Sequence, residues 1–491
     1  MDTTFVGRQQ ELRRMDDLWN WNMAQLMFLY GRRRVGKTAL LLEWIRRSGK
    51  RVLYWAAPPD SAASQLRDFS QAFYVFSHPG SESPENFSYT SWKQAFEAIA
   101  RLAQEQKFGL FIDDFDAIMA VYPSLAGELQ HIWDHQLSAT NLFFCISTNH
   151  LGMVRRELVS YQAPLYGRAS AQFYLRPFFF GQLRLFFPEF SAVDRVTLYS
   201  IFGGVPAYWK RIDPSQSIRQ IIQNELPTPS QPMQAEPLLL LQDYVSEPQN
   251  HISILSAIAN GAHTLKAISQ TTGLPNVDTP EYLGVLTEAG FVERRTPVTE
   301  VGPAREGRYH IANPYLRFYF RFLAQSGQEQ ALADIMKQMD DFISQYTWKE
   351  ICREWVLRAG AAGILPYWAE QVGSVWNSRT QVDIAGINFL DKTIILGECV
   401  WALNPGDRKR MAKLVEEKAA RVIPAKGNWK VYFLGFSRSG WDDSTLAYQE
   451  EINRHPPVGK NWIATGLLLV DLERLDADMR ELTNRVENRA E

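Results

Sequence analysis

The stretch YGRRRVGKTALL, residues 30–41, holds the spacing G-x-x-x-x-G-K-T between an apolar run, QLMFLY, and a helical pattern, TALLLEWIRR. A strand before and a helix after are the setting in which this spacing builds a phosphate-binding P-loop. Gly31 and Gly36 allow the backbone to bend so that its N–H groups and the helix N-terminus face phosphate oxygens. Lys37 then reaches the β- and γ-phosphates, and the Thr38 hydroxyl binds Mg²⁺. Gly31, Arg34, Val35, Gly36, Lys37, Thr38 and Ala39 are the expected cradle for a nucleoside triphosphate.

A cradle alone does not hydrolyse its ligand, because the metal needs a carboxylate and the attacking water needs a base. GLFIDDFDAI, 109–118, supplies candidates for both. An apolar strand leads to Asp113, the expected Mg²⁺ partner, and Asp114 or Asp116 is the base. Aspartate is one methylene shorter than the glutamate more usual at the position of Asp114, which predicts slow turnover. NLFFCIST, 141–148, runs into Asn149; Thr148 or Asn149 is placed to sense the γ-phosphate, and a turn or cap explains either equally well. With RVLYWAA, 51–57, these runs alternate with helical patterns and predict a parallel sheet covered on both faces, an α/β core over 1–150.

The chain has 491 residues, 46% apolar and 22% charged, enough for several folded domains. Its 52 basic and 54 acidic residues give a net charge of −2, so the bulk signature of a dedicated nucleic-acid binder is missing. Cys145, Cys352 and Cys399 are widely spaced and form neither a disulfide framework nor a metal pattern, which fits a reducing cytoplasm. The opening MDTTFVGRQQELRR has no apolar signal core and no run spans a bilayer; a soluble, cytoplasmic protein is expected.

Residues 151–225 read as a helical lid entered through FYLRPFFF, and 226–248 as a linker region marked by the Pro-rich ELPTPSQPMQAEP. Between 249 and 330, three short helical patterns stop at Gly261, Gly273 and Gly290, with Thr264 capping the second and Thr279–Pro280 opening the third. FVERR and RYHIA follow as a two-stranded wing, so the pattern is a winged helix-turn-helix. Arg305 and Arg308 on the wing suit DNA, whereas Glu281 and Glu288 on the third helix oppose it; DNA and a protein partner both remain open. A second αβ pattern fills 335–491, with strands at VGSVWN, QVDIAGIN, TIILGECVW and WKVYFLGF.

FVGRQQEL at 5–12, GRRRVGKT, the Asp113 strand, PLYGR at 164–168 and FGGVPAYW at 202–209 together resemble the archaeal-type ATPases of the STAND branch of AAA+ proteins. The likeness continues through ISILSAIANG and GRYHIANPYLRFYFRF into a C-terminal module similar to that family's PD-(D/E)xK nuclease-like domain. The resemblance implies ATP with Mg²⁺ as ligands and a restriction-endonuclease-like α/β fold over 335–491. It further implies Val6 and Gly7 beside the adenine, Pro206 over the nucleotide from the lid, and Arg168 as a phosphate sensor. Asp383 and Glu398 match the two strand acids of the nuclease-like domain as candidate metal ligands, and Glu350 or Glu354 can supply the helix acid. The expected lysine is replaced by Val400; Lys409, Lys413 and Lys430 are the substitutes in view. Two readings follow: an ATPase driving a DNA-acting domain, or a nucleotide-gated switch whose inert C-terminal domain binds a protein partner or a second copy.

Overall fold

The computed structural model describes residues 5–225, 232–242, 244–245, 247–300, 307–324 and 332–488. It divides into two compact units: one runs to Phe178 and includes Val205–Ala207, the other comprises Phe179–Gly204 and Tyr208 onward.

The first unit is built on β1 (Gln25–Tyr30), β2 (Val52–Ala56), β3 (Gly109–Asp113), β4 (Phe143–Thr148) and β5 (Ala171–Tyr174). Their order is β2-β3-β4-β1-β5 and every ladder is parallel. Side chains alternate across a strand, and here both faces are apolar. Met27, Leu29, Phe111, Phe143 and Cys145 join one buried cluster with Trp19 and Trp44. Leu26, Phe28, Leu110, Ile112, Phe144 and Ile146 join the other with Trp55, Phe69 and Trp92. Because the strands are parallel, the loops after β1, β3 and β4 emerge at one edge, which brings the Lys37, Asp113 and Asn149 segments together. The strand Ala171–Tyr174 lies in the stretch expected to be helical lid; it is only four residues long and closes the sheet beside β1.

In the second unit, helices Gln249–Ala259, Leu265–Thr272 and Thr279–Glu288 precede the antiparallel pair β6 (Val292–Arg295) and β7 (Arg308–Ile311). The Thr264 side chain accepts from Ala267 N–H, and Gly273 ends that helix at φ 73°. Arg305 lies outside the described residues. Within the region read as linker, residues 226–231 lie outside them too, and a helix, Pro232–Gln242, follows.

A mixed sheet, β12-β11-β10-β9-β8, occupies the C-terminal region. It uses β8 (Gln371–Trp376), β9 (Gln381–Asn388), β10 (Thr393–Val400), β11 (Trp429–Ser437) and β12 (Trp462–Asp471). β10, β11 and β12 run parallel, and β9 runs against them, pairing antiparallel with β10 on one side and with β8 on the other. The chain is thus α/β overall. Helix Leu472–Asn488 joins the sheet region to the helices that follow Phe179: buried Asp476 accepts from Arg184 at 2.7 Å and from Arg195 at 2.5 and 3.3 Å. Arg195 is almost fully buried, so removing its carboxylate leaves an uncompensated interior charge. Asp476→Ala is expected to cost about 3 kcal/mol, read as a lower urea midpoint, and Arg184→Ala, on the more exposed partner, distinctly less.

Candidate nucleotide site and C-terminal carboxylates

The loop after β1 is shaped by backbone that most residues avoid. A Cβ at Gly31 would sit 2.4 Å from the Leu175 carbonyl oxygen, so no side chain fits where β1 meets the end of β5. Arg34 and Gly36 have φ of 66° and 98°, and Gly36 caps the helix Lys37–Ser48. A Cβ at Gly36 would lie 3.8 Å from Pro206 Cγ, so the Pro206 ring stands over the loop.

Lys37 is buried at 5% exposure and donates to Gly31 O and Arg32 O at 2.9 Å and to Asn149 Oδ1 at 2.5 Å. Asn149 Nδ2 in turn donates to Asp114 Oδ1 at 2.7 Å. Thr38 Oγ1 donates to Asp113 Oδ2 at 2.6 Å, and Tyr54 OH to the same oxygen at 3.0 Å. Thr148 Oγ1 donates to Asp116 Oδ1 at 2.6 Å, as does the Asn149 backbone N–H at 3.3 Å. Seven expected residues, Lys37, Thr38, Asp113, Asp114, Asp116, Thr148 and Asn149, therefore form one hydrogen-bonded cluster, joined by the Asp114 N–H donating to Asp113 Oδ1 at 3.1 Å. Asp114 itself takes φ 51°, which turns its side chain toward Asn149.

Burial pulls Lys37 down to about 8, against the opposing charges of Asp113, Asp114 and Asp116. Burial, with the charges of Asp113 and Asp116, holds Asp114 above the ordinary carboxylate range. The cluster therefore contains a cation that gains from an added anion and a carboxylate inclined to accept a proton. Thr38 and Asp113 offer converging hard oxygen donors, a set that suits Mg²⁺.

Two residues of this site escaped the sequence reading. Arg8 donates to Arg176 O at 2.6 Å and Val35 O at 3.3 Å, and lies 4.1 Å from the Phe178 ring centroid. It ties the Val6–Gly7 segment to the loop, and Gly7 and Arg8 both take positive φ, a bend that the glycine alone hints at. Tyr54 comes from β2, remote in sequence. Arg168 is not brought to the cluster: it donates to both Asp134 carboxylate oxygens at 2.7 Å and to Pro164 O and Tyr166 O.

In the second unit, the β9–β10 ladder ends at Ile384–Gly397, so Asp383 and Glu398 are the next residues on each strand and close neighbours. Each carboxylate is held by a lysine at 2.6 Å: Asp383 by Lys349, Glu398 by Lys418. Asp383 Oδ2 also accepts from Cys399 N–H at 3.3 Å. Burial and the Asp383 charge hold Glu398 above the usual carboxylate range. Lys409, Lys413 and Lys430 are exposed; the lysine that reaches Glu398 is Lys418, twenty residues away on a helix. Neither helix acid joins the pair. Glu350 accepts from Arg317 at 2.8 and 3.1 Å and from Arg295 at 2.7 Å; burial alone would raise it, yet the two arginines pull it down to about 2. Glu354 accepts from Arg358 at 2.8 and 2.9 Å. Among the described residues no group of three or more His, Cys, Asp or Glu side chains is arranged to hold a metal ion. Nor is any helix among them long and apolar enough to cross a membrane.

Residues 5–212 match the model of an ATPase domain found predominantly in Archaea. Residues 315–418 match a family described as archaeal and bacterial proteins of unknown function. The chain is 27% identical over 424 residues to an uncharacterized protein of Methanocaldococcus jannaschii, spanning 85% of this chain and 92% of that one. An uncharacterized ATP-binding protein of the same organism is 51% identical over 41 residues, 8% of this chain and 70% of that one. Among solved structures, a Walker-type ATPase of Pyrococcus abyssi shares 17% identity across 65% of this chain and 96% of its own, with a TM-score of 0.47.

The depressed Lys37 has a measurable consequence. A polyphosphate bound beside it raises its pKa, so below pH 8 the amine is charged with or without ligand, and above pH 8 binding must take up a proton. Affinity for inorganic triphosphate is expected to fall about tenfold per pH unit above 8. Calorimetry at pH 9 in buffers of different ionisation enthalpy should register that proton.

Proposed function

Because this chain carries an archaeal-type P-loop ATPase domain over residues 5–212, we propose that it binds ATP with Mg²⁺, hydrolyses it slowly, and uses the nucleotide state to govern a C-terminal unit acting on DNA. The observation that carries this reading is the Lys37–Asn149–Asp114 relay beside the Thr38–Asp113 pair. It supports a division of labour in which the Gly31–Ala39 backbone, with Arg34 and Val35, receives the phosphates and Lys37 trades Asn149 for phosphate oxygen. Thr38 and Asp113 would hold Mg²⁺, which when bound offsets charge on the β- and γ-phosphates. Asp114, kept receptive to a proton by burial and its acidic neighbours, serves as base, and Asn149 fixes its direction. Its short side chain and its tie to Asn149 favour slow turnover. Val6 and Gly7, anchored through Arg8, border the adenine, and Pro206 covers the loop. Arg168 would reach phosphate only by leaving Asp134.

A second reading, a nucleotide-gated switch of the STAND kind with an inert nuclease-like domain, is favoured by the lysines that already neutralise Asp383 and Glu398 and by Val400. In that case ATP sets assembly, with a second copy or a protein partner as the recipient.

Lys37→Ala is expected to abolish ATP retention, and Asp114→Asn to retain ATP while losing about 10²-fold or more in turnover. Full turnover in Asp114→Asn would transfer the base role to Asp116. For the C-terminal unit, the switch reading expects no nicking of DNA by purified protein in Mg²⁺ or Mn²⁺; nicking that Asp383→Asn removes would decide for the nuclease.

A further inference from the structure

The whole chain is nearly neutral, yet one surface of the second unit gathers cations, with no acid among the described residues that line it. An open recess of about 610 Å³ is lined by Lys266, Arg294, Arg308 and Trp376, among others. A second, of about 570 Å³, is lined by Arg379 and Arg421 and shares Asn377 and Ser378 with the first, so the two form one continuous seam. No acidic side chain lines either recess among the described residues. The seam is composite: Lys266 lies in the first turn of the helix Leu265–Thr272, Arg294 and Arg308 lie on the β6–β7 pair, and Arg379 sits in the β8–β9 turn. Arg308 is pre-set there, its guanidinium 4.6 Å from the Trp376 ring centroid and donating to Gln381 Oε1 at 2.9 Å. Thr264 and Leu265, at the positive end of their helix, complete the wall. By contrast the third helix, Thr279–Glu288, carries Glu281 and Glu288.

We infer that this basic seam, rather than the third helix, takes the sugar-phosphate backbone of duplex DNA. The inference rests on the DNA-acting reading above and names the surface for it. A row of cations spread over two joined open recesses suits an extended polyanion, since phosphates recur along a strand, and a compact anion would engage only part of it. Five cations releasing counterions predict a salt slope of about −4.5 for log Kobs against log salt.

Lys266, Arg379 and Arg421 are exposed and have no side-chain hydrogen bond or ion pair to any described residue, so their replacement should leave the fold intact, as a thermal melt would verify. Duplex DNA binding by the full chain is measured by fluorescence anisotropy from 50 to 200 mM salt. The triple variant Lys266→Ala, Arg379→Ala, Arg421→Ala is expected to flatten the slope by about 3. Glu281→Gln with Glu288→Gln is expected to leave it unchanged. If the parent binds and the triple variant binds with the same slope, the seam is rejected while the DNA reading stands; tighter binding by the glutamine pair would assign DNA to the third helix and likewise reject the seam. If the parent binds no duplex, or binds only single-stranded RNA, the DNA reading falls and the seam with it.

Discussion

An ammonium group in a protein interior is tolerated only where fixed acceptors surround it. Lys37 meets that demand with two carbonyls of its own loop and the amide of Asn149, and much of the first unit follows from the requirement. The carbonyls of Gly31 and Arg32 can point inward only if the loop bends as it does, and Asn149 can arrive only if β4 lies beside β1 in parallel. The order of strands and the glycines of the loop therefore express one electrostatic constraint. Since Asn149 also bonds Asp114, any displacement of Lys37 is felt directly at the candidate base.

The second unit solves similar problems with arginine and lysine. Glu350, on the helix Trp348–Ala361, is shared by Arg295 of the β6–β7 pair and Arg317 of the helix Pro314–Phe318, so one carboxylate ties three elements together. Asp476 does the same for Arg184 and Arg195. Breaking such a buried group costs far more than a surface pair contributes, which gives these segments a common framework.

What the sequence disclosed, and what it withheld, follows from the range of each signal. The phosphate loop, both flanking elements and the carboxylate ending β3 are encoded by short spacing and were legible. Ala171–Tyr174 was not, because four residues at a sheet edge, half of them facing solvent, leave too short an alternation to distinguish from loop. WIATGLLLVD, which forms β12, was passed over although its apolar run is long. Glu350 looked like a metal acid from its place on the helix; its arginines come from residues 33 and 55 positions earlier, a relation that spacing does not carry. Lys418 was missed for the same reason. It reaches Glu398 from a helix, and a motif defined along one strand cannot see it.

The segment Val205–Ala207 belongs with the first unit while the chain on both sides belongs with the second. The polypeptide therefore weaves between its two halves, and no single cut yields both intact. A fragment ending near Phe178 would lack the proline that roofs Gly36. Any exchange of the first unit that kept this proline would have to carry Phe179–Gly204 of the companion half with it.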